Sequence, residues 1–140
     1  MSKKLDNKIV CIWGSRTLYG ASVLNAIEQA LSKLNYDYII TSGHVEGVCK
    51  EVLNYCDKNY IPIKLVYANR KKYAAGMYEH RSKAILQEAN YFIFIYDGES
   101  VGTKNEIEMV KRIKKDYEII KMKPDNPFGI NFDKIGIESV

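Results

Sequence analysis

The sequence predicts an α/β domain built on a parallel five-stranded sheet with helices on both faces. Short β-rich runs alternate strictly with helical stretches, a pattern that implies parallel strands joined by right-handed crossovers. The fourth run, Tyr91-Phe92-Ile93-Phe94-Ile95-Tyr96, is apolar throughout, as a central strand covered on both sides would be. Polar turn residues follow each of the first four runs, at the end where such sheets bind ligands.

Lys8-Ile9-Val10-Cys11-Ile12-Trp13 is the first strand and stops at Gly14. From about Ala21 to Leu34, Val23, Leu24, Ile27, Ala30 and Leu31 recur at helical spacing. Tyr38-Ile39-Ile40-Thr41 is the second strand, broken by Ser42-Gly43. A helix from about Glu46 to Lys58 carries Val48, Val52, Leu53 and Cys56 on one side, and Ile63 to Tyr67 is the third strand. A polar stretch, Asn69 to Gly76, precedes a third helix through Arg81, Ile85 and Leu86. After the fourth strand come the turn Asp97-Gly98-Glu99-Ser100 and a helix holding Ile107, Val110 and Ile113. Tyr117 to Lys121 completes the sheet, so the domain is expected over residues 1–122. Residues 123–140 form a tail whose Phe128, Ile130, Phe132, Ile135 and Ile137 need a surface, on this domain or on a partner subunit.

Length and composition suit one domain: 140 residues, 46% hydrophobic and 27% charged, are enough for a core without staples. No run of about 18 apolar residues predicts a membrane span. The polar start, MSKKLDNK, has no apolar signal-peptide core, so the expected location is cytoplasmic. Cys11, Cys49 and Cys56 form no CxxC pair, and His44 and His80 are the only histidines. Neither a disulfide framework nor a zinc site is expected. The net charge of +4 is modest, and its one dense basic run, Lys111 to Lys115, ends a helix where cations complement the dipole. Nucleic-acid binding is therefore the least favoured function class.

The strand-end loops narrow the chemistry. Gly14-Ser15-Arg16-Thr17-Leu18-Tyr19-Gly20 is not GxGxxG, and the second strand ends in Thr41-Ser42 without an acidic residue for a ribose diol. Gly20 is followed by Ala21 and Ser22, so a Walker A loop fails too. No cofactor is called for. Gly98-Glu99-Ser100-Val101-Gly102-Thr103 is a different cradle, with glycines beside a helix start whose free N–H groups favour phosphate. The Thr103 hydroxyl can add a hydrogen bond.

Four motifs in order carry a family resemblance: Gly14-Ser15-Arg16; Ser42-Gly43-His44-Val45-Glu46-Gly47; Ala75-Gly76 followed by Arg81; and Gly98-x-Ser100-x-Gly102-Thr103 followed by Glu106. This series resembles the SLOG superfamily of Rossmann-like proteins, closest to its small YspA/YpsA-like branch, over roughly Lys8 to Lys121. The superfamily includes the LONELY GUY phosphoribohydrolases, in which a Gly-Gly-x-Gly-Thr-x-x-Glu element binds phosphate and supplies a catalytic glutamate. Gly102-Thr103-Lys104-Asn105-Glu106 matches the second half of that element, while Asp97-Gly98-Glu99-Ser100 stands where Pro-Gly-Gly is usual. The resemblance implies catalytic roles for Glu106 and Arg81, ligand contacts at Gly14, Ser15, Arg16, Ser42, Gly43, His44, Gly76, Gly98, Ser100, Gly102 and Thr103, and a homo-oligomer.

Two functions follow as expectations. One is hydrolysis of the N-glycosidic bond of a nucleoside 5′-monophosphate, with Glu106 near the ribose and Arg81 on the phosphate or on Glu106. The other is a non-catalytic nucleotide sensor using the same pocket.

Overall fold

The computed structural model describes residues 7–43, 46–67 and 77–124. They form β1 (Lys8–Gly14), α1 (Ala21–Leu31), β2 (Tyr36–Ser42), α2 (Val48–Lys58), β3 (Ile63–Val66), α3 (Met77–Glu88), β4 (Tyr91–Tyr96), α4 (Val101–Ile113) and β5 (Asp116–Lys121). The five strands pair in the order β3-β2-β1-β4-β5, every pair parallel. The fold is an α/β domain of Rossmann-like type.

Alternation along the strands divides the core between the two faces. Val10, Ile12, Ile39, Ile93 and Ile95 pack with Val23 and Ile27 of α1 and Val52 and Cys56 of α2. Cys11, Trp13, Ile40, Phe92 and Phe94 point the other way, toward Ile85 of α3 and Ile107 and Val110 of α4. Phe92 and Phe94 are fully buried, as their central position requires.

Element ends depart from the sequence expectation for local reasons. Helix α2 starts at Val48, two residues later than expected, because Gly47 takes the left-handed conformation (φ 78°) at its N-cap. A Cβ on Gly47 would lie 2.3 Å from the Arg16 Cα, so no other residue fits there. The basic run is not one solvent-facing patch. Lys111 and Arg112 sit in the last turn of α4, whereas Lys115 Nζ donates to the carbonyls of Leu86 (2.5 Å) and Ala89 (2.8 Å) at the end of α3.

Cys11, Cys49 and Cys56 are free and buried. Among the described residues no helix is long and apolar enough to cross a membrane, and no cluster of His, Cys, Asp and Glu could hold a metal ion. The tail beyond residue 124 lies outside the described residues.

Candidate functional site

Strand order changes direction at β1 and β4. The chain leaves β1 for α1 on one face and leaves β4 for α4 on the other. The two departing loops leave a crevice beyond the strand ends, where ligands of open α/β sheets bind. A cleft of about 630 Å³ lies there, lined by the end of β1 and the loop after it (Arg16, Thr17), by Cys49 of α2, by Arg81 of α3, by Ser100 and by the first two turns of α4.

Helix α4 dominates this cleft. Its first intrahelical hydrogen bond runs from Lys104 N–H to Ser100 O, and no side chain caps it. The N–H groups of Val101, Gly102 and Thr103 are therefore left without intrahelical acceptors and carry the positive end of the helix dipole. A Cβ on Gly102 would meet nothing within 4 Å, so packing does not demand glycine there. The Thr103 side chain is buried and lines the cleft, and its hydroxyl makes no hydrogen bond among the described residues. Glu106 follows at i+3 from Thr103 and i+4 from Gly102, which puts all three on one helix face.

Helix α1 contrasts with this. Its N-terminal Gly20 N–H already donates to Glu51 Oε2 at 2.6 Å, so an internal carboxylate occupies the place where a dinucleotide phosphate would dock.

Glu106 and Arg81 line the same cleft. The Glu106 residue keeps partial solvent access, yet loss of water around its carboxyl dominates and pushes its pKa up to about 8, against the downward pull of the Arg81 charge. The carboxyl makes no hydrogen bond or contact ion pair among the described residues. At neutral pH it is mostly protonated. The Cys49 thiol beside it is also driven up, to about 11, by burial first, with Thr41 opposing through a hydrogen bond and Glu106 adding to the rise. It stays a thiol.

The turn before α4 is organised by Asp97. Its Oδ1 accepts the N–H groups of Glu99 and Ser100, both at 2.8 Å. Its Oδ2 accepts the hydroxyls of Thr17 (2.6 Å) and Ser100 (2.8 Å). Burial alone would raise this carboxyl, but those hydrogen bonds outweigh it and hold Asp97 well below the usual carboxylate range. Gly98 takes φ 87° within the turn, which explains its glycine.

No protein-family model matches the chain, and no curated protein matches it.

Of the residues singled out in the sequence, Gly14, Arg16, Arg81, Ser100, Gly102, Thr103 and Glu106 come together around the cleft. Ser15, Ser42, Gly43 and Gly98 are not in its lining. The buried Ser15 hydroxyl accepts the Asp97 N–H at 3.0 Å, and the buried Ser42 hydroxyl accepts Trp13 Nε1–H at 2.9 Å. Gly43 lies against the Tyr67 ring, 2.2 Å from where its Cβ would stand. His44 and Gly76 lie outside the described residues, as does the Asn69 to Tyr73 segment. Trp13, Thr17, Cys49 and Val101 line the cleft without having been singled out. Trp13 is the single tryptophan and stands one residue before the end of β1, a position that points equally well to the core.

Proposed function

We propose that the protein binds a nucleoside 5′-monophosphate in the switch-point cleft and hydrolyses its N-glycosidic bond. The observation that carries this reading is the shared face of α4. An open helix start with Gly102 and the Thr103 hydroxyl, unpaired among the described residues, stands one turn before a carboxyl group, Glu106. The N-terminal N–H groups suit a phosphate dianion. A ribose attached to that phosphate falls within reach of the next turn. The SLOG resemblance supports the same assignment.

The protonation state of Glu106 fits the chemistry. A protonated Glu106 gives its proton to a ring nitrogen of the departing base as the C1′–N bond breaks. The carboxylate left behind faces the positively charged ribosyl group and takes a proton from the attacking water, which restores the acid. Arg81 favours the charged form and so eases the first transfer. Its planar fork also suits a phosphate oxygen pair.

A Gly102→Asp substitution tests the phosphate assignment by placing a carboxylate in the open cradle. Loss of nucleotide-dependent thermal stabilisation is expected. Undiminished stabilisation would mean that the phosphate sits elsewhere.

A further inference from the structure

Ser100 is the N-cap residue of α4, and a serine there ordinarily turns its hydroxyl onto the N–H two or three residues ahead. Here it makes no such bond. Its hydroxyl instead donates to Asp97 Oδ2 at 2.8 Å, while its own N–H donates to Oδ1. Asp97 is fixed in turn from the segment that follows β1, by the Thr17 hydroxyl and through its backbone N–H by Ser15. The acceptor that would compete with a ligand for the α4 N–H groups is thus held away from them by another side chain. The Thr103 side chain is almost wholly buried and lines the same space, and its hydroxyl, without a hydrogen-bond partner among the described residues, is a donor open to an anion there.

We infer that Asp97 is a positioning residue for the anion site: by engaging the Ser100 hydroxyl it prevents α4 from capping itself and keeps the Gly102 and Thr103 N–H groups available to a phosphate. This rests on the phosphate reading above. Asp97 touches no ligand in this scheme. Its own negative charge is absorbed by four hydrogen bonds, from Thr17, the Glu99 N–H and both donors of Ser100.

The test is titration of the full-length ¹⁵N-labelled chain with inorganic phosphate, followed through the Gly102 and Thr103 amide resonances. Wild type is expected to show saturable shifts at both; if neither shifts, the phosphate reading and this inference fall together. Asp97→Ala frees Ser100 to cap and should weaken phosphate by about fivefold, the factor matching a typical serine cap. Asp97→Ala/Ser100→Ala has no hydroxyl to cap with and should recover most of that loss. Asp97→Asn still offers both an acceptor and a donor to Ser100 and should bind within about twofold of wild type.

Wild-type-like binding by Asp97→Ala would overturn the inference, as would a double variant that stays as weak as Asp97→Ala. Ser100→Ala keeps the test open if Asp97→Ala does not fold. It should bind phosphate within about twofold of wild type, and a larger loss would place the hydroxyl in the site and refute its being held away.

Discussion

Trp13 Nε1 donates to Ser42 Oγ at 2.9 Å, joining the carboxyl ends of β1 and β2 inside the core. Trp13 also lines the cleft and lies against Phe92 and Phe94, with ring centroids 5.9 and 6.1 Å away. The hydrogen bond fixes one wall of the site without presenting the serine to a ligand. Ser42→Ala leaves a buried indole N–H unsatisfied, which costs about 1–3 kcal/mol. Denaturant unfolding should register that loss, while nucleotide affinity at low temperature changes by less than about threefold.

Gly102 sits at the second position of α4 with open space where a Cβ would project. Alanine is the better helix former by roughly 1 kcal/mol at most. Gly102→Ala should therefore raise the melting temperature of the ligand-free protein slightly. On the proposed function the added methyl group intrudes on the phosphate, so nucleotide-dependent stabilisation should shrink at the same time. A variant that gains stability and keeps full nucleotide affinity would show that Gly102 faces no ligand.

The pKa of Glu106, about 8 in the folded protein, lies above its ordinary 4.5. Between those values the folded state holds a proton that the unfolded chain releases, so stability falls as pH rises through this window and levels off above it. Glu106→Gln cannot ionise and removes that dependence. It should match wild type below about pH 5 and exceed it by about 1–3 kcal/mol near pH 9. Parallel unfolding curves for the two proteins across the range would show that the carboxyl is not desolvated.

Lys115 donates to the carbonyls of Leu86 and Ala89 that end α3, leaving Lys111, Arg112 and Lys114 as the exposed part of the basic run. Lys115→Ala should cost about 1–2 kcal/mol through the lost charge-assisted bonds. A mobility-shift assay with duplex DNA or RNA at low salt should show no retardation. Retardation that falls steeply with salt would restore the nucleic-acid reading.

Strand and helix alternation, together with an apolar β4, made the sheet and its two covered faces legible from the sequence. Local patterns are enough there, because each strand announces its burial by composition. The lining of the candidate cleft was legible where chemistry and position coincide along the chain, as at Gly102, Thr103 and Glu106 on one helix face. It was less legible where a polar residue's partner is distant in sequence. Ser15 and Ser42 read as loop residues free for a ligand, but their hydroxyls are engaged by Asp97 and Trp13, which only the β1–β4 and β1–β2 pairings bring near. Asp97 itself read as a turn residue, because its bond to Thr17 spans 80 positions. Glycines mislead for a similar reason: Gly14 is required by the Ile95 carbonyl and the Val48 side chain, whose Cγ2 would lie 2.5 Å from a Cβ there.

The most direct measurement is incubation of the full-length protein and its Glu106→Gln variant with a panel of nucleoside 5′-monophosphates, following thermal stabilisation and free base together. At least one nucleotide should stabilise both proteins, and wild type should release its base at least about 100-fold faster than the variant, the scale expected of a general acid–base group. Stabilisation without base release would contradict hydrolysis and leave a nucleotide sensor. A panel in which no nucleotide stabilises the wild-type protein would contradict the phosphate site itself.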